Sequence, residues 1–507
     1  MKRRSIKKWI IGTLLIIMVI SIGSCIGVKS QINQHLGAKT EIVDSSIFRT
    51  LSTPIAITNI NVLSPDCSKM RDSLTVLIKD GKIESVAKES IISDEYTLID
   101  GTGKYLIPGL IDTHAHLKKS KNDLLLYLAN GVTGIAEMFG TKQHLAWRKE
   151  ANDGALSPKI YVATTKVGSR KGLMRKIKKW FGAQHNYTTV KKARKAVAKY
   201  KEQGYDAIKL SSFLNPEIYH AIVKEGKKQN IPTIGHLTYD VKLDDFYESG
   251  QTQLAHIEEI TKSTMVAFGG LYTNNTEDYL KYLNENADAI AIKLKENKIV
   301  VSSTVWIIES FPKQKFDLDN FIKDIELEYV NPGIVEGSRM AKGWLPGNNS
   351  YENLEIKNDP ERSKESKVFW DAYAKAIHIM AKALIKHNVT IIAGTDSNGA
   401  CTVPGFSLHD ELTSLNNVGL SNEQVLQTAT RNAGEWMQNN TGIIETGYNA
   451  DLVILNNNPL MDINNTRKIQ SVIINGNLID RSTLNKMLAS VKNVNNRSRN
   501  VSIDAHL

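Results

Sequence analysis

The sequence predicts an α/β protein: a (β/α)8 TIM barrel with a small β-sandwich domain formed from both flanking segments. Three observations carry this. Between residues 107 and 395, strand-like runs alternate with helix-like runs, and eight strands can be counted; such a repeat closes parallel strands inside a ring of helices. The segments before and after it contain short β-like runs with turn signals at Asp80-Gly81 and Asn475-Gly476. The first strand of the alternating region ends in His114-Ala115-His116. Residues i and i+2 of a strand point to one side, so the two imidazoles can converge on one metal ion. Taken alone, such a pair could equally be polar groups at the surface.

In chain order, residues 1–28 form a signal or membrane-anchor segment, and 29–52 a polar, weakly patterned linker. The first part of the β-sandwich spans 53–106, with β-like runs at 55–63, 74–78, 82–86 and 97–100. The barrel spans 107–437. After the histidine strand, helical 123–130 leads to strand 132–138, 143–152 to 159–165, 189–203 to 207–211 and 217–229 to 233–237. Helical 243–248 then leads to strand 253–257, 276–297 to 299–306 and 365–387 to 389–395. Residues 307–364 are too long for an ordinary connection and read as an insertion over the active face. Residues 421–437 read as a helix. The second part of the sandwich occupies 438–482, with strands at 451–455 and 470–474, and 483–507 reads as a polar tail.

The chain has 507 residues, 41% hydrophobic and 23% charged, as expected of a folded, multidomain protein rather than a disordered one. Its net charge of +11 is unevenly placed: Lys2, Arg3, Arg4, Lys7 and Lys8 precede an apolar run, and a second dense group spans 159–201. No DNA- or RNA-binding motif accompanies either group, so nucleic acid is excluded as a partner. The three cysteines, Cys25, Cys67 and Cys401, form no CxxC pair, so neither a zinc ribbon nor a disulfide framework is expected. The start, with an apolar 9–22 and then Ile22-Gly23-Ser24-Cys25, resembles a bacterial lipoprotein signal, in which Cys25 would be lipidated. An uncleaved anchor is the other reading, since apolar character continues to Val28 and about 20 residues span a bilayer. Both imply a bacterial, membrane-associated and extracytoplasmic protein, because basic residues before the apolar run favour outward translocation of the chain beyond it.

In a barrel, catalytic groups sit at the C-terminal ends of the strands. Reading those positions gives His114 and His116 on the first strand, Lys209 on the fourth, His236 on the fifth, His256 on the sixth and Asp396 on the eighth. A single strand lysine is ordinarily a surface residue. Lys209, however, lies between Ile208 and Leu210, as in a buried strand. An amine pointing into a metal-rich mouth must be neutralised, and carboxylation by carbon dioxide would make it an oxygen ligand able to bridge two cations.

These residues, with Pro108–Leu117, Gly235-His236, 255–259, 393–397, 428–433 and 449–456, are similar to the amidohydrolase superfamily, in its imidazolonepropionase-like and Xaa-Pro dipeptidase-like branch. The resemblance spans about residues 55–480. It implies a two-metal site in which His114, His116 and Asp396 hold one ion and His236 and His256 the other, bridged by carboxylated Lys209 and a hydroxide. It also implies that Asp396 accepts the proton of the attacking hydroxide and passes it to the leaving amine. Zinc suits the nitrogen donors, with manganese or iron as alternatives. The implied activity is metal-dependent hydrolysis of a C–N bond in a peptide, N-acyl amino acid or cyclic amide. A deaminase or lactonase can share this scaffold, because fold does not fix substrate. A non-catalytic membrane-tethered binding protein is the reading from another class, and the presence of all six strand-end groups argues against it.

The resemblance has one departure. A tyrosine that often follows the fifth-strand histidine by two residues is replaced by Thr238, with Tyr239 one place on. Neighbouring strand positions face opposite ways, so Tyr239 is carried over only as a substrate contact. Finally, residues 172–181 place Leu173, Met174, Ile177, Trp180 and Phe181 on one helical face, with Arg175, Lys176, Lys178 and Lys179 opposite. This pattern fits an interfacial membrane helix, a lid over the mouth, or a short helix packed on the barrel.

Overall fold

The computed structural model describes residues 13, 23–52, 54–170, 172 and 185–507. The expected signal region therefore lies mostly outside the described residues, as does the basic amphipathic stretch 172–181 apart from Gly172. Residues 23–35 are helical and Cys25 on this helix is exposed. Among the described residues, no helix is long and apolar enough to cross a membrane.

Five strands come first: β1 (Ile55–Leu63), β2 (Met70–Lys79), β3 (Lys82–Ala87), β4 (Thr97–Asp100) and β5 (Tyr105–Pro108). Parallel strands come next: β6 (Leu110–Ala115), β7 (Val132–Gly140), β8 (Lys159–Thr164), the short β9 (Val167–Gly168) and β10 (His185–Asn186), and β11 (Ile208–Leu210). The parallel series ends with β12 (Thr233–Gly235), β13 (Gln253–Leu254), β14 (Val300–Ser302) and β15 (Ile391–Ile392). The last three strands are β16 (Leu452–Leu455), β17 (Ile469–Ile474) and β18 (Asn477–Asp480).

Both flanking segments enter one eight-stranded sheet, in the order β18-β17-β16-β5-β1-β2-β3 with β4 on β1. The seam is the antiparallel β5–β16 pair, in which Leu106 faces Ile454. Alternate side chains from both parts, including Ile55, Ile57, Val76, Leu106, Leu452 and Ile473, form one apolar core.

The central strands form parallel sheets, β6-β7-β8 and β10-β9-β11-β12-β13-β14-β15. Backbone contacts link their edges: Ala163 bridges Ala207, and the Thr113 N–H donates to Ala393 O at 2.9 Å. Intervening helices start where the chain supplies a cap. Asn215 accepts from the Glu217 and Ile218 N–H groups before Pro216–Gln229, and Asp359 plays the same part before Pro360–Lys386.

Five stretches differ from the sequence expectation, the first being the strand expected at 253–257, which ends at Leu254 before the helix Ile257–Phe268. The strand expected at 299–306 ends at Ser302, because Thr304 turns left-handed (φ 48°) and the helix Val305–Phe316 begins. The expected helix 421–437 is broken at Thr430 (φ −127°, ψ −95°) into Asn422–Ala429 and Arg431–Met437. The expected polar tail is the helix Arg481–Ser498, which buries Leu484, Met487, Val491 and Val494 and is capped by Asp480. Within the expected linker 29–52, Val43 and Phe48 are buried in the main core. The inserted region 307–364 has a core of its own, built from Leu318, Phe321, Ile322, Trp344 and Leu345, which Val403 and Ile503 join.

Candidate metal centre

Every residue of β6 is buried, so His114 is fixed by packing before any ligand binds. Its Nδ1 lies 3.2 Å from Ala255 O. Asp112, also buried, accepts from the His114 and Thr395 N–H groups and from the Thr395 hydroxyl, which ties β6 to the turn carrying Asp396. That turn is tight: a Cβ on Gly394 would stand 2.7 Å from the His114 Cβ. Asp396 itself is left-handed (φ 57°) and its N–H donates to His114 O at 2.8 Å.

Lys209 is fully buried on β11, and its Nζ lies 3.1 Å from His114 Nε2. Gly235 makes room for it, since a Cβ there would meet the Lys209 Cδ at 3.0 Å at a φ of +117°. Asp396 Oδ1 stands 2.9 Å from His116 Nε2 and 3.4 Å from His114 Nε2. His114, His256 and Asp396 each offer a donor atom within 4.8 Å of the others. The His236 and His256 ring centroids are 5.2 Å apart, and those of His114 and His256 4.5 Å. All six residues expected from the strand ends are thus brought to one place.

The imidazoles share one orientation. His236 Nδ1 faces Glu259 Oε1 at 3.2 Å, His256 Nδ1 faces Thr304 Oγ1 at 2.9 Å, and His116 Nδ1 lies 4.0 Å from Glu137 Oε1. In His236, His256 and His114 the occupied Nδ1 leaves the Nε2 lone pair for the centre. Glu259 also accepts from the Leu237 N–H at 3.1 Å, and Glu137 from the Leu117 and Phe139 N–H groups. Sequence reasoning did not pick out Glu137, Glu259, Thr304 or Asp112 as site residues. A carboxylate inside an apolar strand, as at Glu137, is the signal that could have found one of them.

Burial, reinforced by the charge of Lys166, holds the Lys209 amine down to about 7. Burial also pushes His114, His236 and His256 well below the usual histidine range, with neighbouring Lys209 acting in the same direction. For Asp396, burial works against ionisation, but the hydrogen bond from His116 and the surrounding imidazoles hold it well below the carboxylate range. The donor set therefore includes three imidazoles that stay neutral, those of His114, His236 and His256, an ionised carboxylate and an amine that readily loses its proton. Among the described residues, His236 Nε2 is buried with no hydrogen-bond partner, an unsatisfied lone pair that a cation would satisfy. These residues fit divalent metal.

Tyr239 stands apart. Thr238 is buried and donates to Ser211 O, whereas Tyr239 is exposed and packs near Phe213, with ring centroids 5.3 Å apart. Tyr239 lines a cavity of about 680 Å³ with Leu237, Val241, Glu259, Lys262 and Val266. Lys262 pairs with Glu258 at 2.7 Å and reaches Glu259 at 3.4 Å.

The sequence matches the amidohydrolase family over residues 105–479. It is 25% identical over 421 residues to a 5'-deoxyadenosine deaminase of Methanosphaera stadtmanae, covering 80% of this chain and 86% of that one. Solved structures share the fold. A bottromycin amidohydrolase superposes with a TM-score of 0.66 at 19% identity, covering 86% of this chain and 90% of the other. A prolidase complexed with N-methylphosphonate-L-proline gives 0.61 at 18%, covering 84% and 99%.

Proposed function

The chain belongs to the amidohydrolase family, and from that premise we propose that it is a metal-dependent hydrolase of a C–N bond in a small amide, dipeptide or cyclic amide. The observation that supports this most is the fully buried Lys209 amine, 3.1 Å from His114 Nε2 among imidazoles and a carboxylate. The eight strands β6–β8 and β11–β15 form a closed (β/α)8 barrel in this reading, supported by the links at Ala163–Ala207 and Thr113–Ala393. The flanking sheet is its β-sandwich.

His114, His116 and Asp396 would hold one divalent ion and His236 and His256 a second, with Lys209, as a carbamate, an oxygen donor to both. Zinc is the metal we favour for the imidazole donors. When bound, the ions supply Lewis acidity that polarises a carbonyl and acidifies water. The remaining work falls to the chain. The neutral Lys209 nitrogen attacks carbon dioxide and loses a proton, becoming an anionic oxygen donor. Asp396 accepts a proton from the attacking water and returns it to the leaving amine nitrogen, giving a carboxylate and an amine. Glu259, Thr304 and the Ala255 carbonyl hold the imidazoles in register. Tyr239, which lines the cavity with Leu237 and Glu259, would contact the substrate.

A screen of dipeptides, N-acyl amino acids and lactams with zinc added tests this reading; turnover that disappears in Lys209→Ala supports it, and no turnover of any C–N substrate overturns it. Deamination is the second reading, supported by the likeness to the 5'-deoxyadenosine deaminase. Ammonia release from an aminopurine nucleoside, without cleavage of any amide, would favour it.

We also propose a membrane tether through the basic and apolar N-terminal run, lipidated at Cys25 or retained as an anchor. Labelling of the full chain with a radioactive fatty acid, lost in Cys25→Ala, separates the two forms.

A further inference from the structure

The stretch that precedes the first strand is stapled to the mouth of the metal centre. Residues 31–43 run beside the loop 117–122, which directly succeeds His116. The Lys119 N–H donates to Leu36 O at 2.8 Å and its Nζ to Asn33 Oδ1 at 2.7 Å. Asn122 accepts from the Val43 N–H at 2.9 Å and donates to Glu41 O at 2.8 Å. On the other side lies the inserted region. A Cβ on Gly333 would stand 1.8 Å from Gln34 O, and one on Gly37 (φ +85°) 2.8 Å from the Asn331 Cγ, so the two backbones meet with no room for a side chain.

From this contact a buried polar chain runs inward. Asn331 accepts from the Thr40 hydroxyl at 2.9 Å and donates to Gly37 O and to Ser120 Oγ, each at 3.2 Å. Ser120 donates to Asp123 Oδ1 at 2.6 Å. Asn398 donates to Asp123 Oδ2 at 2.7 Å and to His116 O at 2.8 Å. Asn331, Ser120, Asp123 and Asn398 are all at most 4% exposed. Each of these four side chains is buried, so cutting the network is costly, although Asn398 Oδ1 itself has no hydrogen-bond partner among the described residues. Its inner end grips the backbone of one metal-binding residue, His116, and the turn of another, Asp396.

We infer that residues 31–43 are a supporting arm of the metal centre, with Asn331, Ser120, Asp123 and Asn398 as positioning residues for His116 and Asp396. The arm acts on one half of the site. His236 and His256 take their support from Glu259 and Thr304 instead, and no hydrogen bond joins either of them to Thr40, Asn331, Ser120, Asp123 or Asn398. Cutting the chain therefore weakens one ion and spares the other. This inference rests on the two-ion reading of the centre.

The test is zinc binding by the full-length protein in chelator-buffered zinc, read as ions per chain. Ser120→Ala and Asn331→Leu cut the chain, Ser120→Thr retains its hydroxyl, and Thr40→Val with Lys119→Met loosens the arm at its outer end. The expected result is a loss of about 10–100-fold in affinity for one ion in the first two, an unchanged second ion, recovery in Ser120→Thr, and a weaker change of the same kind in the arm variant. A purely structural role would lower the melting temperature and leave both zinc affinities as in the unaltered protein; that result overturns the inference. If Asn331→Leu does not fold, Ser120→Ala and the arm variant decide the matter. A parent protein that binds no zinc would instead contradict the two-ion reading itself.

Discussion

The ε-amine of Lys209 lies 3.1 Å from Nε2 of His114, and neither residue is exposed to solvent. A charged ammonium there would face an imidazole at close range, with Asp396, Glu259 and Glu137 acting only from further off, so burial favours the neutral amine.

This makes stability depend on pH. Burial lowers the folded-state value of Lys209 to about 7, whereas in the unfolded chain it is about 10.4. Between these values the unfolded chain carries the extra proton, so the metal-free protein gains stability as pH rises through this window. Below it the cost of the buried charge is present in full. Metal-free Lys209→Met is therefore expected to melt above metal-free parent at pH 6, with the gap narrowing by pH 9; differential scanning fluorimetry at both values checks this.

Carboxylation needs the same neutral amine. Incubation with ¹³C-bicarbonate and zinc is expected to give a carbamate carbon resonance that grows from pH 6 to pH 8 and is absent in Lys209→Ala.

Glu259 carries the orientation of His236 through one oxygen and the Leu237 N–H through the other. Glu259→Ala is expected to lower affinity for one zinc by about 10–100-fold, with Glu259→Gln less affected. Competition with a chromophoric chelator reads the difference.

The cavity next to Glu259, the partner of His236, is lined by Leu237, Tyr239, Val241 and Val266. Tyr239→Ala is expected to raise KM for amides bearing an apolar group while zinc content stays the same. Equal loss for all amides, or loss of zinc, would contradict a role in substrate contact.

The strand-end groups were legible in the sequence because each is a polar residue at the end of an apolar run or, for Lys209, within one, a local pattern. Their supports were not. Thr304 reaches His256 only because the chain turns left-handed after β14, and Glu137 reaches His116 from a neighbouring strand; neither relation has a sequence spacing. The helix Arg481–Ser498 was hidden for another reason. Its apolar residues Leu484, Met487, Val491 and Val494 follow helical spacing, but they are few among many polar ones, and the partner surface that buries them is assembled by distant segments. The buried Val43 and Phe48 within residues 29–52 illustrate the same effect: a polar composition conceals two anchors whose pocket exists only in the folded chain.

The basic stretch 172–181 gives a separate expectation. If it lies on an anionic bilayer, Trp180→Glu with Lys178→Glu weakens vesicle sedimentation of protein lacking the apolar N-terminal run, in a salt-sensitive way. Unchanged sedimentation would remove the membrane role of this stretch.

Metal content is the most direct test of a two-metal centre that depends on Lys209. Plasma emission analysis of the full-length protein after zinc loading and desalting is expected to give about two ions per chain in the parent and a loss of both in Lys209→Ala. Full zinc retention in Lys209→Ala, or no bound metal in the parent, would contradict the account.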